Sequence, residues 1–354
     1  MIKLGALDGD GIGPEIVSAA VRVVEATDLD VEFINYPVGW EAYEEYDSTV
    51  PQVTLDGLKE CDGWLLGPIF AGEYPEDDLA DRNPSSTLRQ AFDLYSNVRP
   101  IRSYTDTGSG EIDITIFRQN TEGFLADRNM HVGDGRFMPT GDVALSVRVV
   151  TRQESRRIAE AAFAYAAERD IDVTAVSKKN VLQHGGTLFI EECEKVSEQY
   201  PHVGFETFII DAFSAELVMN PTEYDVVVTT NLFGDILSDE AAGIAGSLGL
   251  APGLNHSHDH AMAQATHGAA PDIAGEGIAN PTSMILSAAM LLDWLGRRET
   301  EDIPEAATAI NNAVAQTIDS GVRTPDIGGN ATNEEFTDAV IAQLQIETGS
   351  KKMD

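Results

Sequence analysis

A chain of 354 residues with 43% hydrophobic content is long enough for two lobes and apolar enough to bury a large core, which excludes wholesale disorder. Its 59 acidic residues against 23 basic ones leave a formal net charge of −36, a field that repels nucleic acid and anionic membranes. No stretch stays apolar for the length of a bilayer span, and the strand-like start at Met1–Asp8 leaves no room for a signal peptide. Only Cys61 and Cys193 are present, without metal-type spacing, so a cytoplasmic protein is expected. The acids are scattered, as in Glu41-Ala42-Tyr43-Glu44-Glu45-Tyr46-Asp47, while lysine is confined to Lys3, Lys59, Lys178, Lys179, Lys195, Lys351 and Lys352. Such a surface is expected of a halophilic protein, because molar salt screens its self-repulsion.

Strand and helix patterns alternate along the chain, which predicts an α/β protein. A strand ending at Leu7 leads into Asp8-Gly9-Asp10-Gly11-Ile12-Gly13-Pro14-Glu15 and a helix with Ile16, Ala19, Ala20, Val23 and Val24 on one face. Pro14 suits the first helical turn, where its missing N–H has no partner to lose. The glycines at 9, 11 and 13 do not make Gly-x-Gly-x-x-Gly, so the fingerprint of a Rossmann fold is not met. A short helix is predicted over 88–95, with Leu88, Phe92 and Tyr95 as its core stripe, and it must end before Pro100. Ile112, Ile114 and Ile116 alternate with Asp113, Thr115 and Phe117 in a strand ending at Arg118. An alanine-rich helix over 154–168 turns Ile158, Ala162 and Tyr165 inward. Val173–Ser177 reads as a buried strand delivering Lys178, and Asp225–Thr230 as another that leads into a helix from Asn231.

Asp235 and Asp239 stand four apart near the start of that helix and share one face. Unrelieved like charges at this spacing cost roughly 0.2–0.5 kcal/mol, so the pair is either a solvated acidic face or a site for a hard cation such as Mg²⁺ or Mn²⁺. Arg89, Arg99 and Arg118 are either a clamp for an anionic substrate or partners for surface acids. His256, His258 and His260 alternate in a polar loop, and one extended segment cannot close a tetrahedral metal site.

Together these pieces resemble the β-decarboxylating dehydrogenases, the family of isocitrate, isopropylmalate, homoisocitrate and tartrate/D-malate dehydrogenases. The similarity is carried by Asn231-Leu232-Phe233-Gly234-Asp235-Ile236-Leu237-Ser238-Asp239, continuing to Gly246-Ser247-Leu248-Gly249-Leu250, and covers the chain in order. It implies an α/β two-domain fold that is not a Rossmann fold. A discontinuous cofactor-side domain spans 1–97 plus 246–354, and a smaller domain over 98–245 carries the metal site and dimer interface. It further implies that Asp235 and Asp239, with Asp211 from a neighbouring subunit, hold Mg²⁺ or Mn²⁺. Arg89, Arg99 and Arg118 grip the carboxylates of a 2-hydroxy polycarboxylate, with Ser85, Asn83 and Asn180 as further substrate contacts. Lys178, with Asp211 nearby, takes part in removing the hydroxyl proton. His267, Gly268, Asp272, Ile273 and Asn280 match the adenosine-side loop. Relatives that use NADP place Lys and Tyr where Asp272 and Ile273 stand; an aspartate repels a 2′-phosphate, so NAD is the implied cofactor. The shared site implies a homodimer or homotetramer.

The family's Arg-Glu-Asn-Thr-Glu-Gly-x-Tyr stretch reads here Arg118-Gln119-Asn120-Thr121-Glu122-Gly123-Phe124-Leu125. Leu125 replaces the tyrosine that protonates the product after CO₂ loss, a group worth about 10²–10⁴-fold in its step. Slow or absent decarboxylation, or a regulatory subunit, is the alternative this raises. Gln264 stands where relatives usually carry glutamate. The stretch before Arg89, Arg82-Asn83-Pro84-Ser85-Ser86-Thr87, is wholly polar, which favours isocitrate, tartrate or D-malate over isopropylmalate.

Overall fold

β1 (Ile2–Leu7) runs into the glycine-rich turn, and α1 (Gly13–Glu25) carries Pro14 in its first turn. Its Ile16, Ala19, Ala20, Val23 and Val24 are all buried, as their helical spacing predicted. β2 (Val31–Asn35), the short helices α2 (Gly39–Tyr46) and α3 (Gln52–Leu58), and β3 (Gly63–Leu66) complete a first parallel block. α4 (Pro84–Ala91) precedes a long antiparallel pair, β4 (Ser96–Arg102) and β5 (Asp113–Gln119). β6 (Arg136–Thr140) and β7 (Val143–Ser146) form a separate hairpin. Then α5 (Arg152–Arg169), β8 (Val173–Ser177), α6 (Gln183–Ser197), β9 (Phe205–Ile209), α7 (Ile210–Met219), β10 (Val226–Thr229) and α8 (Asn231–Ala245) alternate. β11 (Leu254–His256) and β12 (Ala261–Gln264) pair as a hairpin, followed by α9 (Thr282–Gly296), α10 (Asp302–Asp319) and α11 (Asn333–Lys351). This computed structural model describes residues 1–70, 74, 83–104, 108, 110–124, 136–297 and 302–351; Arg82 and Leu125 lie outside them.

The main strands form one mixed sheet in the order β2-β1-β3-β12-β11-β4-β5-β10-β8-β9. Both flanks are parallel, whereas β12–β11, β11–β4 and β4–β5 are antiparallel. The seam between the flanks is short, with Leu254, Asn255 and His256 paired to Val98, Asn97 and Ser96. On one side of it, α1, α9, α10 and α11 pack around Ile16, Met284 and Phe336, while Trp64 and Leu88 centre a second cluster. On the other side, α5 and α6 cover one sheet face through Ile158, Phe163 and Phe189, and α7 and α8 cover the opposite face through Phe213, Leu237 and Ala241. Each fully buried side chain of this kind contributes about 1.5–3 kcal/mol.

Three local expectations change in the folded chain. The strand expected to end at Arg118 runs one residue further, over Asp113–Gln119, and α5 and α8 cover its two faces. The helix expected over 88–95 lies earlier, at Pro84–Ala91: Asn83 caps it by accepting the Ser86 N–H at 3.1 Å, and Asp93 leaves the helical path with φ of 50°. Tyr95 is therefore half-buried on the approach to β4 rather than in a helical stripe. The alternating histidines sit on and beside the β11–β12 hairpin, where the His260 ring packs against Phe92 at 5.0 Å. Among the described residues, no helix is long and apolar enough to cross a membrane.

Candidate active site

β10 ends at Thr229 and α8 starts at Asn231, so the signature run places Asp235 and Asp239 one turn apart. Arg99 on β4 and Arg118 on β5 are both buried and point to this face. Arg118 forms an ion pair with Asp235 through Nη1, and its Nε and Nη2 donate to Asn231 Oδ1 at 2.9 and 2.7 Å. Arg99 Nη1 lies 3.3 Å from Asp235, 3.8 Å from Asp239 and 2.6 Å from Ser238 Oγ. Burial, with Arg99 alongside, draws the Arg118 guanidinium down to about 9, while burial lowers Arg99. Burial pushes the Asp235 carboxyl up, but Arg118, Arg99 and Arg89 outweigh it and hold it below the usual range. Asp239 stays raised, by burial that Arg99 offsets only in part and by the charge of Asp235.

The two aspartates form an oxygen-only donor pair, with 41% and 55% of their side-chain surface open. That chemistry suits a hard divalent cation, and Arg99 at 3.8 Å compensates the charge of Asp239 only in part. Two carboxylates are half a site. Among the described residues, no group of three His, Cys, Asp or Glu side chains could hold a metal ion.

The expected third carboxylate, Asp211, stands elsewhere. β8 and β9 are parallel neighbours, so Lys178 after β8 and Asp211 in the first turn of α7 emerge at the same sheet edge. They form an ion pair, with Asp211 67% exposed and its carboxyl held down first by the Lys178 hydrogen bond. Asn180 is exposed in the turn beyond. No hydrogen bond or ion pair joins this pair to Asp235 or Asp239 among the described residues.

On the far side of the seam, Gln264 at the end of β12 gathers two expected substrate contacts. Its Oε1 accepts Ser85 Oγ at 2.8 Å and Arg89 Nη2 at 3.3 Å. Asn83 is occupied as the helix cap. Gln264 was noticed in the sequence only as a departure; its role as the tie between β12 and α4 depends on a contact 179 residues away in sequence.

Glu122 is a further residue that site reasoning passed over. Burial raises its carboxyl to about 7, although it accepts the Thr151 N–H at 2.8 Å, and its carbonyl accepts from Asn231 Nδ2 at 2.8 Å. An acid raised in the fold contributes stability fully below pH 4.5 and loses it as pH rises through 7. Glu122→Gln mimics the protonated form, so its stability relative to the parent rises across that window by an amount on the order of 3 kcal/mol at most. Urea unfolding at pH 5 and pH 8 measures it; equal differences at both would sink the assignment.

The loop after β12 meets the N-terminal glycine turn. Ile12 N–H donates to the Ala269 carbonyl at 2.9 Å, and the Gly275 N–H donates to Glu15 at 2.6 Å. Gly11 has φ of +57°, and a Cβ there would stand 2.0 Å from the Ala269 oxygen, so only glycine allows this approach. His267 Nδ1 lies 3.0 Å from the Gly268 carbonyl, and its Nε2 is buried with no hydrogen-bond partner. Burial lowers its pKa, so the ring is neutral and has a polar atom for a ligand. Gly268 borders open space, Asp272 is exposed, and Ile273 packs on the core. Asn280 is buried and donates to Asp326 at 2.9 Å; Asp326 also accepts Ser247 Oγ at 2.6 Å. An orphaned ring nitrogen beside the open space at Gly268 could take an adenosine group.

Comparisons with known proteins identify the family. The isocitrate/isopropylmalate dehydrogenase family profile matches residues 3–340. An isocitrate/homoisocitrate dehydrogenase of Thermus thermophilus is 42% identical over 347 residues, covering 97% of this chain and 98% of that one. A 3-isopropylmalate dehydrogenase of Methanothermobacter thermautotrophicus is 38% identical, with 97% and 99% covered. The crystal structure of isocitrate dehydrogenase from Methylococcus capsulatus superposes with a TM-score of 0.88 at 38% identity, over 98% of this chain and 100% of that one. The chain belongs to the isocitrate/isopropylmalate dehydrogenase family, has its α/β fold, and is an oxidoreductase of the β-decarboxylating type acting on substrates of the isocitrate, homoisocitrate and isopropylmalate class.

Proposed function

We propose that this chain is an NAD-dependent, Mg²⁺- or Mn²⁺-dependent dehydrogenase that oxidises a 2-hydroxy polycarboxylate and releases CO₂. The observation that carries the reading is the convergence of buried Arg99 and Arg118 on Asp235, beside the half-open Asp239. When bound, the cation supplies Lewis acidity at the substrate hydroxyl and NAD accepts the hydride. The chain's own groups do the rest. Arg89, Arg99 and Arg118 hold substrate carboxylates, with Ser85, Asn83 and Asn180 as further contacts. Lys178 Nζ, steadied by Asp211, takes part in moving the hydroxyl proton.

Lys178, Asn180 and Asp211 serve the site of a second copy, which makes the active form a homodimer or homotetramer. Exposed Val218 and Met219 on α7 and Ile236 on α8 support this, since apolar side chains beside the half-site are what an interface would cover. Residues 1–97 plus 246–354 form the cofactor-side domain in this reading, and 98–245 the other. The formal charge of −36 supports a protein adapted to concentrated salt, in the cytoplasm.

The polar wall at Ser85, held by Gln264, supports a substrate more polar than isopropylmalate, such as isocitrate, tartrate or D-malate. Leu125 keeps a second reading open, a regulatory subunit or a dehydrogenase that oxidises without efficient decarboxylation. NADH formation at 340 nm in concentrated KCl with Mg²⁺ or Mn²⁺, across isocitrate, homoisocitrate, isopropylmalate, tartrate and D-malate, separates these readings. Turnover of one acid with CO₂ release supports the first. Silence from folded homo-oligomer across the panel overturns it in favour of the regulatory subunit.

The exposed Asp272 sets the cofactor preference. NAD is used with kcat/KM at least about tenfold above NADP, and Asp272→Ala narrows the ratio, because the carboxylate repels a 2′-phosphate. Equal use of both cofactors by the parent would remove NAD from the proposal.

A further inference from the structure

A cavity of about 580 Å³ lies on the opposite face of the sheet from Asp235 and Asp239. Its floor is formed by Val98, Pro100, Phe117 and Leu254. Val98 pairs with Phe117 across β4 and β5 and packs with it under α5, whereas Arg99 and Arg118 point to the α8 side. The cavity and the arginine clamp are therefore back to back across the thickness of the sheet.

One wall is α5, through Ala161, Ala164 and Tyr165; the facing wall is α9 and α10, through Ala289, Met290 and Ala307. Alanines at facing positions leave the space that larger side chains would fill. Met290 packs against the core clusters on both sides of the seam. At the rim stand Arg169, Arg297, Asp293 and the half-buried Trp294. Arg297 reaches across the opening to Glu168 of α5 at 3.1 Å, and Arg169 approaches the same carboxylate at 3.3 Å. Arg297 also pairs with Asp293 at 3.1 Å. Two guanidinium groups thus share Glu168 at the rim of a cavity lined by aromatic and apolar side chains together with the polar His256, Ser257 and Asn311, in a chain whose net charge is −36. Exposed ion pairs of this kind contribute only about 0–1 kcal/mol, so a ligand carboxylate can take over their hydrogen bonds at small cost.

We propose that this cavity is a binding site for a small aromatic carboxylate, distinct from the dehydrogenase site. The ring lies among Phe117, Tyr165 and Met290, and the carboxylate meets Arg169 and Arg297. The volume falls within the roughly 300–1,000 Å³ of small-molecule pockets. Because its walls come from both sides of the β11–β4 seam, an occupant bridges α5 to α9 and α10 and biases any rotation of the two halves.

Calorimetric titration of the full chain, at the lowest salt that keeps it folded, tests this with indole-3-acetate as the probe. Indole-3-acetate is expected to bind once per chain, acetate not to bind, and indole to bind about tenfold more weakly, the difference expected of one charge-assisted contact. Ala164→Phe fills the cavity and abolishes binding. The double change Arg169→Gln with Arg297→Gln alters only exposed side chains and weakens binding about tenfold, so the test stands even where the filled variant fails to fold. Turnover of hydroxy acid stays within twofold in the arginine variant. No binding to the folded parent or undiminished binding to the arginine variant would each overturn the proposal.

Discussion

Asp239→Asn is expected to leave a folded protein whose metal-supported turnover falls at least about 100-fold, the loss of roughly 2.7 kcal/mol of transition-state stabilisation. The fold survives because Asp239 is 55% exposed and its ion pair to Arg99 spans 3.8 Å. Its carboxyl is raised by burial that Arg99 only partly offsets, so the neutral amide removes a strained charge rather than a supporting one. Asp235→Asn makes a poor substitute for this experiment. Asp235 is the acidic partner of both Arg99 and Arg118, and removing its charge leaves the buried Arg118 guanidinium without its ion pair and Arg99 with only the longer contact to Asp239, at a cost on the order of 3 kcal/mol. Turnover against Mn²⁺ concentration, with the Mn²⁺-induced rise in Tm as a second readout, measures the effect. A variant that keeps both the Tm rise and full turnover would place the cation elsewhere.

Lys178→Met is expected to lower kcat by about 10²–10⁴-fold while KM for the hydroxy acid moves far less, because the lysine amine takes part in moving a proton rather than serving as a main carboxylate anchor. The decisive form of the experiment mixes two inactive variants. If Lys178 serves the Asp235 and Asp239 of another copy, a mixed dimer of Lys178→Met and Asp239→Asn chains contains one intact site and one doubly damaged site. Random reassembly then restores about a quarter of the parental activity, half of the dimers being mixed and half of their sites intact. A site contained within one chain restores nothing. The geometry favours restoration, since Lys178 and Asp211 pair with each other and make no bond to Asp235 or Asp239 among the described residues.

Much of this site was legible before any coordinates. Asp235 and Asp239 share a face because four residues slightly exceed one helical turn, a geometric fact independent of the rest of the chain. Lys178 could be placed at a strand end because Val173–Ser177 is short, apolar and bounded, and the observed β8 has those limits. The glycine turn was correctly denied a Rossmann reading from spacing alone. Local pattern served less well where tertiary packing overrides it. The alternation at 112–117 marks a strand, but nothing within those residues announces that helices cover both of its faces. The helix near Leu88 was displaced because its start is set by the Asn83 cap and Pro84 rather than by its apolar spacing.

What the sequence by itself determined is the set of local elements, the helical pairing of the two aspartates, the acidic surface and, through a long signature run, the family. Periodicity, capping and composition act over one or two turns of chain, so short windows carry them. The tertiary structure alone decided that Arg118 spends its charge on Asp235, 117 residues away, and that Gln264 ties Ser85 to β12 across 179 residues. It also decided that Glu122 is buried enough to titrate near neutrality and that a cavity opens behind the arginine clamp. Those properties depend on desolvation and on contacts between distant segments, which are set only when the sheet order brings β11, β4 and β5 together.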